Sequence, residues 1–170
     1  MNFFKSRLKE SITKAEEVLQ KSRVTSSPVP IEEIIEDYGL KLQFIDLKEK
    51  SDEISGLYDF NSKTIYVNCQ DSPQRQRFTI AHELGHALLH APELQKNPNL
   101  GIFYRRPLGD GAFDSIEEQQ ANRFAAYLLV PEAFIKEIYP SCKSHTTLSG
   151  IFNVSRQVID YHLKNLGLGE

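Results

Sequence analysis

The stretch that most constrains this chain is RFTIAHELGHALLH, residues 77–90. On a helical wheel at about 100° per residue, Phe78, Ile80, Ala81, Leu84, Gly85, Ala87, Leu88 and Leu89 cover most of the circumference. What remains is one narrow stripe of Thr79, His82, Glu83, His86 and His90. A solvent-facing stripe would carry lysines, arginines and several acids. This one has neither Lys nor Arg, and so predicts a polar seam in a buried helix. The fold must wrap a core around this helix and give the seam something to bind.

The seam has the spacing that metal chemistry requires. His82 and His86, at i and i+4, lie one turn apart on one face, so both imidazoles can reach one ion. Glu83 falls beside the pair, where it can take a proton from water without ligating the metal. His90 continues the series but lies about 12 Å along the axis from His82, beyond the reach of ~2 Å bonds. It is expected to pack around the site or hydrogen-bond to it.

A third ligand must then come from elsewhere, and DSIEEQQANRFAAYLLVP offers one. Glu118, Ala121, Ala125 and Leu129 share one helical face, which should point inward. A carboxylate on such a face needs a partner or a metal. With His82 and His86, Glu118 completes the two-His, one-Glu set of a catalytic zinc site with an open fourth position. Asn122, one turn on, can orient a ligand histidine through its other ring nitrogen. A competing reading makes Ser115-x-x-Glu118 a capping box, with Glu118 serving only the helix terminus. If Asp114 is the N-cap and Glu117 its partner, Glu118 is free; Glu117 is the alternative ligand.

The rest of the chain is read around these two helices. Its 170 residues suffice for one core. A net charge of −3 gives no electrostatic reason to expect nucleic acid. Cys69 and Cys142 stand far apart, which argues against a disulfide framework and for a cytoplasmic protein. Phe4, Leu8, Ile12, Ala15 and Leu19 predict an amphipathic N-terminal helix packed on the core. No apolar run approaches the ~20 residues of a membrane span. KLQFIDL, ISGLYDF and KTIYVN read as strands, the last two a hairpin across Asn61-Ser62. Ser72 and Pro73 cap and open the histidine helix. Residues 91–114 lack periodicity, and such a structureless stretch in a compact domain is usually functional or mobile. Within it Tyr104, Arg105 and Arg106 are candidate contacts for substrate or oxyanion. Tyr58, Tyr127, His145 and His162 are further oxyanion candidates.

The expected fold is α+β. A small three-stranded sheet carries the two site helices in a core over 28–140. An N-terminal helix (1–27) and a C-terminal helical segment (141–170) pack on it.

PIEEIIEDYGLKL, ISGLYD, RQRFTIAHELGHALLH, EEQQANRFAAYLLVP and LSGIFNVSRQVIDYHLKNLGL together make the chain resemble the ImmA/IrrE-type metallopeptidases of bacteria and their mobile elements. The resemblance covers about residues 28–168. It implies a minimal zincin, gluzincin-like core and one zinc ion held by His82, His86 and Glu118, with Glu83 as general base. It also implies an endopeptidase that cleaves a helix-turn-helix repressor and so frees the genes of a mobile element or stress response. Two positions depart from the family's pattern: Val130, where methionine is common, and Gln120, where glutamate is frequent.

The alternative is a metal-binding regulatory module that binds a repressor or operator without proteolysis. LSGIFNVSRQVIDYHLKNLGL reads as two helices around a turn at Asn153-Val154, the second capped by Ser155, like a helix-turn-helix unit. DNA readout needs a basic recognition helix, and here Arg156 and Lys164 stand against Asp160. The segment is therefore expected to pack or to dock a repressor, and direct DNA binding is not expected. Glu83 favours hydrolysis over the scaffold reading, because a scaffold needs no base.

Overall fold

The computed structural model describes residues 3–47, 54–90, 102–105 and 115–168. Among the described residues, seven helices and four strands succeed one another as α1 (Phe3–Lys21), α2 (Ile31–Asp37), β1 (Lys41–Ile45), β2 (Gly56–Asp59), β3 (Thr64–Asn68), α3 (Pro73–Leu89), β4 (Ile102–Arg105), α4 (Ile116–Leu129), α5 (Glu132–Ile138), α6 (His145–Phe152) and α7 (Arg156–Leu166).

The sheet order is β1-β3-β2-β4. β1 runs parallel to β3, while β2 is antiparallel to both β3 and β4. The hairpin between β2 and β3 turns where the sequence puts it. Asp59 accepts from the Asn61 N–H at 2.9 Å and the Ser62 hydroxyl at 2.7 Å, and Lys63 takes a left-handed φ of 52°. The three expected strands are joined by β4, which lies in the stretch read as structureless. IFYR is too short to show a period of its own; its pairing is supplied by the open edge of β2, Gly56 opposite Arg105 and Leu57 opposite Tyr104.

α3 starts at Ser72, whose Oγ accepts from the Arg75 N–H, with Pro73 at the first position. Every residue from Phe78 to Ala87 is buried, as the wheel requires. Two glycines set how closely the helix is packed. A Cβ on Gly56 would stand 2.4 Å from Thr79 Cγ2 and 2.8 Å from the Tyr66 carbonyl, so only glycine lets α3 lie this near β2. A Cβ on Gly85 would stand 3.0 Å from Phe124 Cδ1 and 3.2 Å from Ala121 Cα, which brings α4 equally close on the other side. α4 is capped by Ser115, whose Oγ accepts from the Glu118 N–H at 3.3 Å. The cap is thus Ser115 and not Asp114, which lies outside the described residues.

One apolar cluster holds these elements together. It includes Ala15 and Val18 of α1, Ile34 and Ile35 of α2, Ile65 and Val67 of β3, Leu84 of α3 and Phe124 and Leu128 of α4. Phe152 of α6 and Ile159 and Leu163 of α7 join the same cluster. The terminal helices therefore belong to the core that supports α3. Among the described residues no helix is long and apolar enough to cross a membrane.

Candidate metal centre

The close approach of α3 and α4 brings Glu118 over the histidine pair. Its Oε2 lies 3.2 Å from His82 Nε2 and its Oε1 3.1 Å from His86 Nε2. The two Nε2 atoms are 3.0 Å apart. These donors suit a single ion well, because bonds of ~2 Å at tetrahedral angles put neighbouring ligand atoms about 3.3 Å apart. Two imidazole nitrogens and a carboxylate also match the ligand chemistry of zinc. Among the described residues this is the cluster able to hold a metal. Both histidines are fully buried, whereas the Glu118 side chain is 26% exposed, so the cluster opens toward solvent on its carboxylate side.

The capping alternative for Glu118 resolves into two separate jobs. Its backbone N–H serves the Ser115 cap, while its carboxylate faces the histidines. Burial raises the Glu118 pKa, but the hydrogen bonds and charges of His82 and His86 outweigh it and hold the carboxyl well below its ordinary range. Glu117 turns the other way and pairs with Arg7 of α1 at 3.1 Å.

Around these atoms lies a layer of hydrogen bonds. With the Nε2 atoms turned to one point, His82 is left to donate from Nδ1, and Asn122 Oδ1 accepts at 3.0 Å. His86 Nδ1 meets His90 Nδ1 at 3.0 Å, and His90 Nε2 lies 3.4 Å from Gln120 Oε1. His90 is thus brought to the cluster as a hydrogen-bond partner of His86. Burial, followed by the charge of His86, pushes its pKa down to about 4, so the ring is neutral at pH 7. Gln120 was missed from sequence. The available signal was its departure from the family's pattern, two residues before Asn122 on the same helix. Glu83 is fully buried beside His82, and its Cγ packs over Gly56 of β2.

The other candidates are distributed unequally. The backbone of Tyr104 and Arg105 runs on β4, one strand from Gly56; their side chains, and all of Arg106, lie outside what the structure describes. Tyr127 is nine residues along α4 from Glu118, about 13 Å along the axis, and stacks edge-on against His162 with centroids 4.4 Å apart. His145 pairs with Asp160 at the surface, 2.5 Å away. Tyr58 is buried in β2. Beside the cluster, a cavity of about 600 Å³ is lined by Arg75, Phe78, Asn122 and Arg123 of the core and by Val158 and Tyr161 of α7. Ser155, Gln157, Val158 and Tyr161 at the start of α7 form one wall of this cavity.

Fold and site together define a class: an α+β, minimal zincin-like core with a His-His-Glu cluster that could hold a metal ion. The comparisons with known proteins narrow it. Residues 35–164 match the peptidase M78 family model, described as the IrrE N-terminal-like domain. The radiation response metalloprotease IrrE of Deinococcus deserti is 34% identical over 100 residues, which is 59% of this chain and 32% of that protein. The metallopeptidase ImmA of Bacillus subtilis is 30% identical over 125 residues, 71% of this chain and 69% of that one. A solved structure of a Mycobacterium tuberculosis transcriptional regulator superposes with a TM-score of 0.63 at 19% identity, covering 91% of this chain and 46% of that one; it shares the fold. The chain belongs to the IrrE N-terminal-like peptidase family. It spans about a third of the length of the IrrE relative.

Proposed function

We propose that the chain is a zinc-dependent endopeptidase that cleaves a helix-turn-helix transcriptional repressor in the cytoplasm. The observation that carries this reading is the convergence of His82 Nε2 and His86 Nε2, 3.0 Å apart, on the Glu118 carboxylate, whose two oxygens meet one histidine each at 3.2 and 3.1 Å, with Glu83 next in sequence to the first histidine. His82, His86 and Glu118 are the ligands, and Asn122 holds the His82 ring in its binding orientation. A zinc ion held by these three residues would supply Lewis acidity for activating water and polarising the scissile carbonyl. Glu83 takes the proton from the attacking water and hands it to the leaving amine. Full burial of the two histidines and partial exposure of Glu118 leave one open side, where a peptide can reach the centre.

The repressor assignment rests on the family. A protein substrate is consistent with the cavity between the core and α7, which offers apolar Phe78, Val158 and Tyr161 with Arg75 and Arg123 beside Asn122. Residues 28–140 form the peptidase unit in this reading, and residues 1–27 and 141–170 support it.

The test is incubation of the zinc-loaded protein with a helix-turn-helix repressor encoded beside it. Cleavage should stop with a chelator, return with zinc, and be absent for Glu83→Gln. Cleavage that survives both chelator and Glu83→Gln contradicts the proposal. A gel shift with the repressor's operator tests the non-proteolytic alternative, and no shift is expected.

A further inference from the structure

α1 lies outside the stretch that matches the family model, yet it is tied to the metal cluster by a continuous chain of hydrogen bonds. Gln120 Nε2 donates to the backbone carbonyl of Arg7 at 2.9 Å. Its Oε1 faces His90 Nε2 at 3.4 Å, and His90 Nδ1 faces His86 Nδ1 at 3.0 Å. The direction of every bond follows from the far end. A backbone carbonyl can only accept, so the Gln120 amide nitrogen must face Arg7 and its oxygen must face His90. His90 then donates from Nε2 and accepts at Nδ1. His86 consequently carries its proton on Nδ1 and presents a bare Nε2 to the cluster.

We infer that α1 is part of the metal centre: through Gln120 and His90, the Arg7 carbonyl fixes the ring orientation and tautomer in which His86 binds the ion. Gln120 and His90 are positioning residues, the counterparts on the His86 side of Asn122 on the His82 side. The support differs in length. His82 is held by one bond to α4, and His86 by three bonds ending on α1. An amide at position 120 suits this end point because it accepts from His90 and donates to Arg7, whereas a glutamate can do only the first. Ordinary packing around Gln120 would not need this polarity. The inference rests on reading His82, His86 and Glu118 as the metal site.

The test is zinc affinity by competition with a chromophoric chelator for the full-length wild type, Gln120→Met and Gln120→Glu, each checked for folding by circular dichroism. Gln120→Met removes both bonds and should weaken zinc binding by about 10- to 100-fold, the range for lost outer-layer support of a ligand histidine. Gln120→Glu still accepts from His90 and should lose clearly less. In the zinc-loaded protein, the hydrogen-bonded His86 Nδ1–H should exchange slowly by NMR, and faster in Gln120→Met, with the His82 signal unchanged. His90→Gln, which can still accept from His86 and donate to Gln120, should retain more affinity than His90→Phe. Unaltered zinc affinity in Gln120→Met, or a larger loss in Gln120→Glu than in Gln120→Met, overturns the inference. A wild type that binds no zinc defeats the metal reading itself and the relay with it, whereas a zinc-tight wild type with indifferent variants defeats only the relay.

Discussion

The α3–α4 seam and the α6–α7 pair both carry a recognisable motif, and the structure treats them in opposite ways. On α3 the two motif histidines turn their Nε2 atoms to one point, and α4 brings a carboxylate to meet them. On α6–α7 the expected geometry is present: α6 ends at Asn153 in the left-handed conformation, and Ser155 caps α7. Asp160 is bound to His145, and Val158 and Tyr161 line a cavity against the core. Each region also buries a histidine with a pKa pushed down to about 4, His90 and His162. His90 sits in a chain of polar partners, while His162 stacks on Tyr127. A motif or a buried histidine signifies chemistry only where matching donors meet it.

The largest effect that would break this contrast is at Glu118. Glu118→Gln should weaken zinc affinity by more than the roughly 100-fold upper range for an outer-layer partner, measured by chelator competition. An unchanged affinity would remove Glu118 from the ligand set. Next, Phe152, fully buried in α6, belongs to the same core as α3. Phe152→Ala should cost about 3–5 kcal/mol and lower the unfolding midpoint of the whole chain in denaturant. A separate C-terminal transition would instead mark α6–α7 as an independent module.

His162 supplies a pH signature confined to the C-terminal region. Burial is the leading cause of its lowered pKa, from 6.5 to about 4. Between those values the unfolded chain binds a proton that the folded chain does not, so stability falls as pH drops from about 6.5 toward 4. The contribution is on the order of 1 kcal/mol per pH unit. Denaturant unfolding of His162→Phe should show a flatter dependence than wild type across that window; an identical slope would refute the assignment. The smallest effect is expected at the exposed Arg156 and Lys164. Their joint replacement by Ala should change stability by no more than about 0.5 kcal/mol and leave repressor cleavage intact. A measurable loss of operator binding would restore the DNA-binding alternative.

Much of the site was legible in the sequence because its signals are local. Ser72 and Pro73 begin α3, and the narrow polar stripe identifies His82, Glu83 and His86 within one helix. Glu118 needed one further step, the inward face it shares with Ala121 and Ala125. What escaped depends on contacts between distant segments. β4 is four residues paired to the open edge of β2, and nothing in IFYR announces that partner. Gln120 matters because α4 presents it to both His90 and the Arg7 carbonyl, 113 residues away in sequence. The sequence leaves the cap open between Asp114 and Ser115, because the choice depends on whether Glu118 can serve the cap and the cluster at once. It does so by using its backbone for one and its side chain for the other.

The central claim, that the seam on α3 is a metal-dependent peptidase centre, is tested most directly by measuring zinc content and repressor cleavage on one preparation of Glu83→Gln beside the wild type. The account predicts one zinc per chain in both proteins and a fall in cleavage of about 10²- to 10⁴-fold in the variant. A zinc-loaded Glu83→Gln that cuts at the wild-type rate would contradict it.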